Sequence, residues 1–380
     1  GYSGPIYATT ATRDVARLIL VDSARIQAED YRRQRGYVEG GPPVPPPLYT
    51  EQDVYETLDL FEGVRYDEPF LIKGVAVCFG NAGHILGSAF IEFTGRTHRF
   101  IASGDVGHWG AHVVPNPELP SQADVVMVES TYGGTIHPPM TEAVKGLIDL
   151  IHQAHREGGN VLIPSFALER TQDVLHQLRI AHDKRRLPRN TKIFLDSPLG
   201  IRFTQLYRRY PEQLSESVRA YIQRGDSPFR WENVHFTISS QDSREIAEHG
   251  HGAVILAGSG MASGGRILTH LKENLERPES VVCFVGFQAE GTRGRTLVDG
   301  AEQVNIDGED YQVQAKIVEI DGFSAHADQA GLVRWVTAAG KPATLLVHGE
   351  EDAPLTLQSE LHDQHGIEAT ISQWGVPYDF

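Results

Sequence analysis

Cysteine is nearly missing from this chain: there are two in 380 residues, Cys78 and Cys283. Both sit in apolar, strand-like runs (GVAVCFG and SVVCFVGF), so two buried free thiols fit better than a disulfide framework. A reducing cytoplasm is the expected compartment. No apolar run reaches the roughly 18 residues that would suggest a membrane helix. The opening GYSGPIYATTATRD has no basic start, apolar core or initiator Met, so it does not read as a signal peptide. Positive charge is also short. The 34 Lys and Arg stand against 50 Asp and Glu, for a net charge of −16. That balance excludes a protein that coats nucleic acid through bulk charge. It leaves room for a local basic groove, with candidates in KRRLPRNTK (184–192), the group Arg202, Arg208 and Arg209, and TRGR (292–295). Most such clusters are solvated faces. There is no internal repeat and no heptad array.

What is present reads as α/β. Residues 10–34 have apolar residues at helical spacing behind a Thr/Asp start, which predicts a helix. The stretch 36–50 is Pro-rich and predicts a loop, and DVYETLDLFEGV predicts a second helix. From about 66 to 130, short apolar runs bounded by Gly, Asn and Asp predict strands: FLIKGVAVCFG, SAFIEFTG, HRFIASGD and ADVVMVEST. Beyond Glu129 helix and strand alternate. EAVKGLIDLIHQAHREGG predicts an amphipathic helix. NVLIPSF predicts a strand, and ALERTQDVLHQLRIAHDKRR a helix that Ser165 is placed to cap. TKIFLDSP, AVILAGSG and SVVCFVGF predict further strands. This alternation implies βαβ units and a mostly parallel sheet.

Five stretches place a His, Asp or Glu just past an apolar run: GNAGHILGS, ASGDVGH, VESTYGG, GFSAHAD and LVHGEE. In α/β sheets, ligands bind in the crevice beyond the strand carboxyl ends. Any one of these residues alone reads as a turn, cap or paired side chain; five in such positions argue for a site. Gly258, Gly260, Gly264 and Gly265 make a Gly-rich turn before RILTHLKENLE. Its amides could bind phosphate or simply turn the chain. It is neither a Walker loop nor a dinucleotide fingerprint.

At these stretches the sequence resembles the β-CASP group of metallo-β-lactamase-fold nucleases, which includes the cleavage subunit of the polyadenylation machinery. GHILGS, SGD, ESTYG, FSAHAD and VHGE occur in family order, together with PSFALERTQ, SGMASGGR and QAEGTRGR, over nearly the whole chain. The resemblance implies that His84 binds a first zinc, Asp105 bridges two zincs and His348 binds the second. It implies that Glu129 and His326 form an acid/base pair, and that Ser324 and the SGMASGGR loop contact substrate phosphate. The substrate contacts it suggests are Ser324, Ser259, Gly260, Gly264, Gly265 and Arg266, with Arg293 and Arg295 beside them in the groove. The His at 348 implies RNA rather than DNA, since DNA-repair members typically have Val there. The family's leading His-x-His-x-Asp-His motif is expected ahead of GYSGPIYATTATRD and does not occur, so the chain is expected to start downstream of it, to hold less zinc than a complete site and, as given, to show little cleavage.

The implied chemistry suits the residue types. Zinc takes imidazole and carboxylate ligands. Two zincs sharing a hydroxide clamp an in-line displacement at phosphorus, and Asp105 has two oxygens with which to bridge. Glu129 would orient His326, which would then protonate the departing ribose 3′ oxygen. The implied architecture is an αββα metallo-β-lactamase sandwich, residues 1–137 and 319–380, interrupted by a β-CASP domain at 138–318. The expected function is a zinc-dependent ribonuclease, endo-, 5′-exo- or both, possessing two zincs when complete and RNA as partner, with no membrane and with room for a homodimer. Two alternatives stand: a hydrolase of a small ester, thioester or lactam, against which the insert of about 180 residues argues, and an RNA-binding protein that does not cut.

Overall fold

The computed structural model describes residues 2–37, 44–350 and 352–379. The Pro-rich loop expected over 36–50 therefore lies partly outside the described residues; 44–50 carry neither helix nor strand. Two large sheets organise the rest. The first has six parallel strands in the order Val234–Phe236, Ile193–Asp196, Val254–Ala257, Val161–Pro164, Val281–Phe284 and Lys316–Glu319. Four of these strands are buried at every position. That is the pattern of a parallel sheet covered on both faces, and it explains why their sequences are continuous apolar runs and not alternating ones.

The second sheet has seven strands and is mixed. Its order is Ala369–Ile371, Ala343–Val347, Val125–Glu129, Arg99–Ala102, Ala89–Thr94, Val75–Asn81 and Phe70–Ile72. The first four are mutually parallel and the rest antiparallel. Phe70–Ile72 and Val75–Asn81 form a hairpin whose two turn residues, Lys73 and Gly74, both have positive φ. That is the primed turn a twisted two-residue hairpin requires. All strands of the six-stranded sheet lie between 161 and 319, whereas the seven-stranded sheet draws on both sides of that stretch.

A small parallel pair, Ile6–Thr9 with Phe61–Val64, faces the seven-stranded sheet through Tyr7, whose ring lies 4.9 Å from Phe70. Sequence periodicity predicts a helix running through FEGV, but the helix is Glu51–Leu58, capped by Thr50 and Asp53. The chain then turns into the strand. Gly63 fits there because a Cβ would come 2.8 Å from the Thr10 methyl. Helix Thr10–Tyr37 follows the first strand. Its start is tied to the GHILGS turn by Thr9 and Thr12, whose hydroxyls both donate to Gly87 O, at 2.9 and 2.7 Å.

The helix expected from ALERTQ onward begins later, as Arg170–Asp183, with Glu169 and not Ser165 at its cap position. Ser165 instead bonds Thr171 and Phe166 O, leaving 166–169 as a turn. The largest buried cluster joins the two sheets' domains: Leu86 and Val113 share it with Leu147, Val174, Leu178 and Ile320.

Candidate active site

Three adjacent parallel strands of the seven-stranded sheet deliver the site. Asp105 follows Arg99–Ala102, Glu129 ends Val125–Glu129, and His348 follows Ala343–Val347, in which Val347 pairs with Glu129. His84 comes from the turn after Val75–Asn81, and His326 from the loop that leads back out of the six-stranded sheet. Two glycines allow these loops to touch. A Cβ on Gly107 would sit 1.9 Å from Gly83 O, so only glycine lets the Asp105 loop lie on the His84 turn. His108 N donates to Ala325 O at 3.0 Å and stitches the same loop to His326. His348 has positive φ, and its carbonyl accepts from Ser130 N at 3.3 Å.

His326 Nδ1 lies 3.0 and 3.1 Å from the two oxygens of Glu129. Glu129 is buried and also accepts from Val106 N at 2.7 Å. Burial acts to raise the Glu129 pKa, but His326 outweighs it and holds the carboxyl below its usual range. Burial likewise works against charge on His326, and Glu129 overcomes it, so His326 is raised. His84 goes the other way: burial first, then His326, push it down to about 4. Its neutral ring keeps a nitrogen lone pair, the form that binds metal.

Ligand-type atoms of His84, Asp105 and His326 lie within 4.8 Å of one another. His348 Nε2 is 3.9 Å from the second Asp105 oxygen, at the exposed rim. His84 Nδ1 is buried with no hydrogen-bond partner. These residues fit a zinc ion: the donors are of the right kind and they converge, with His84 Nε2 facing Asp105.

A cleft of about 1010 Å³ opens above them, between the two sheets' domains. Of the substrate contacts named from sequence, Ser324 lines it, and its hydroxyl accepts from His326 N at 3.2 Å. The others are engaged elsewhere. Ser259 Oγ accepts from the amides of Ser263 and Gly264, so these two donors of the Gly-rich turn are taken up within it. Gly265 packs against Gly258 O, where a Cβ would come within 2.4 Å, and Gly260 lies under the Phe166 ring. Arg266 is held by Asp196 and by the carbonyls of Thr237 and Ile238. Arg293 donates to Ala262 O and Asn305 O, and Arg295 pairs with Asp299.

The cleft lining adds residues that sequence reasoning passed over: Tyr132, Phe166, Arg170, Met261 and Phe287. Phe166 is 46% exposed and Phe287 45%. A usable signal was position: Phe166 and Phe287 each lie just past the carboxyl end of a buried strand.

The chain has matches among known proteins. Residues 171–297 match the β-CASP domain model, and 310–372 match that of the Zn-dependent metallo-hydrolase RNA specificity domain. The chain is 36% identical to ribonuclease TTHA0252 of Thermus thermophilus, over 99% of this chain and 82% of that protein. It is 32% identical to transcription termination factor FttA of Pyrococcus abyssi, over 96% of this chain and 56% of that protein. It is 31% identical to an RNase J-like protein of Methanocaldococcus jannaschii, over 80% of this chain and 70% of that protein. The chain thus spans only about half the length of the archaeal termination factor.

Proposed function

Because the chain belongs to the β-CASP family of metallo-β-lactamase-fold RNA nucleases, we propose that it is a zinc-dependent ribonuclease whose chemistry centres on Asp105, Glu129 and His326. The observation that carries this reading is the Glu129–His326 pair, 3.0 Å apart, set beside the His84–Asp105 group at the floor of a cleft. His84, Asp105 and His348 would hold the metal, with His326 beside them as the proton carrier; two ions belong to the complete site. When bound, zinc supplies Lewis-acid charge at the scissile phosphoryl group and acidifies nearby water. Glu129 fixes His326 through Nδ1, which leaves Nε2 to carry a proton toward the cleft. That proton goes to the departing ribose 3′ oxygen, and the products carry a 5′ phosphate and a 3′ hydroxyl. Ser324 holds the His326 loop and faces substrate.

The cleft, at about 1010 Å³, is at the upper end of the roughly 300–1,000 Å³ of small-molecule pockets, and its Phe166 and Phe287 rings suit unpaired bases. Both points favour an RNA strand over a lactam or small ester. The free cysteines support a cytoplasmic location. No described helix is long and apolar enough to cross a membrane. Light scattering on the purified protein reads whether it forms a homodimer.

The decisive assay is cleavage of 5′-labelled single-stranded RNA under single-turnover conditions, with zinc-loaded protein in excess. The expected products end in 3′ hydroxyl. Hydrolysis of a chromogenic lactam with intact RNA would replace this reading with the small-substrate one; RNA binding with no cleavage would replace it with the non-cutting one. Metal analysis of the 380-residue polypeptide is expected to find fewer than two zincs, since it contains no His-x-His-x-Asp-His motif. Two tightly held zincs would show that the motif is dispensable for loading.

A further inference from the structure

A cleft that takes a polyanion needs a cation in it. The basic residues noticed in the sequence do not line this one. Among the described residues, Arg170 is the single Lys or Arg in the lining, and Glu169, Glu350 and Asp352 line it too. Arg170 opens helix Arg170–Asp183 directly after the 166–169 turn. Its Nη1 donates to Val285 O, which fixes the guanidinium against the loop that carries Phe287. A Cβ on Gly286 would come 3.0 Å from that Nη1, so the loop passes close to the guanidinium.

The rest of the guanidinium is unmet. Nε is shut off from water and has no acceptor. Nη2 makes no hydrogen bond among the described residues, and no carboxylate lies within ion-pair distance. The nearest acids, Glu169 and Asp173, act on it only at a distance and make no ion pair with it. Glu169 accepts from the Tyr207 hydroxyl instead. Burial pushes Glu169 well above its ordinary value and Asp173 up to about 7. With Nε enclosed and Nη1 engaged, Nη2 is the donor left for an anion in the cleft, through a charge-assisted hydrogen bond. A buried cation without a partner is costly, and an anionic ligand relieves that cost. Arg170 is near enough that its charge is felt at Tyr132, His137 and His326.

We propose that Arg170 binds a backbone phosphate of single-stranded RNA, beside the linkage presented to Glu129 and His326. The proposal rests on the ribonuclease reading, and the test separates the two. Anisotropy of a labelled oligouridylate is measured across a salt series with chelator-treated protein, which does not cut it, and a gel confirms the oligomer is intact. Arg170→Ala is expected to weaken binding about ten-fold, as loss of one charged hydrogen bond would. The log–log salt slope should shrink by about 0.7. Arg170→Lys keeps the slope and recovers part of the affinity. A neutral methylphosphonate walked along the oligomer should cost the wild type affinity at one linkage and cost Arg170→Ala nothing there.

A folded Arg170→Ala, by melting temperature and near-UV circular dichroism, that keeps wild-type affinity and slope overturns the proposal. So do methylphosphonate losses identical in both proteins. If Arg170→Ala does not fold, the walk is run on Arg170→Lys: a reduced loss at the one linkage supports the assignment, and an unchanged loss overturns it. Wild-type protein that binds no RNA overturns the ribonuclease reading and this assignment together.

Discussion

Asp196 and Glu129 are both buried carboxylates with a histidine at hydrogen-bond distance. Their surroundings differ. In the six-stranded domain, Asp196 accepts from His270 at 2.7 Å, Ser243 at 2.6 Å, Thr237 at 2.6 Å and Arg266 at 2.7 Å. His270 is itself buried, and only its Nδ1 lacks a hydrogen bond. Burial would raise the Asp196 pKa, yet these partners pull it down to about 2. Beneath the cleft, Glu129 is satisfied, but its neighbours are not. Asp105 stays 43% exposed, and His348 is 64% exposed. One cluster has closed on itself and the other has kept room for something else. In sequence both are simply an acid and a histidine past a strand; what marks a site for chemistry is the coordination left unfilled.

Substituting His326 tests the open cluster and should have the largest effect. His326→Ala is expected to slow RNA cleavage about 10²–10⁴-fold, the usual worth of a positioned acid/base group. Its melting temperature should stay within a few degrees of wild type, because few partners are lost. Collapse of the fold instead would erase the distinction between the clusters. The closed cluster predicts the converse. Asp196→Ala strands Arg266 and should cost about 3–5 kcal/mol in chemical denaturation, with cleavage by the folded fraction close to normal. A stable Asp196→Ala with no cleavage would move Asp196 into the working site.

A smaller effect separates two buried carboxyls by pH. Asp173 has no acid-stabilising set like that of Asp196, and burial raises it to about 7. The folded protein therefore keeps a proton that the unfolded chain, with a carboxyl near ~4, has lost at neutral pH. That stabilisation is full below about pH 4 and is lost as pH rises through about 7. Asp196 behaves oppositely: its contribution is present above about pH 4 and lost as pH falls through about 2. Asp173→Asn should flatten the alkaline side of a stability–pH curve and leave the acid side alone. An alkaline limb unchanged by the substitution would mean that Asp173 is ionised in the fold.

Much of this was legible beforehand. The buried strands showed as apolar runs such as VLIP and VVCF because both faces of their sheet are covered. His84, Asp105, Glu129, His326 and His348 stood out because each directly follows such a run or turn. What stayed hidden depended on partners distant in sequence. FEGV looks helical until Ile6–Thr9 pairs with it. Ser165 looks like a cap until Thr171 takes its hydroxyl. Arg266 looks available until Asp196, 70 residues away, claims it. Arg170 falls inside the helix expected from ALERTQ onward, and only the approach of Val285 and the cleft sets it apart.

The pairing of Val125–Glu129 with Ala343–Val347 has a consequence for biosynthesis. Glu129 leaves the ribosome about 210 residues before its neighbouring strand does. At roughly 5–20 residues per second this strand waits ten seconds or more with one edge open. The whole six-stranded domain, with its short-range βαβ connections, is made during that wait. His326 and His348 arrive at its end. Asp105 and Glu129 thus wait for both histidines, and the proposed centre is assembled only after the six-stranded domain has been made.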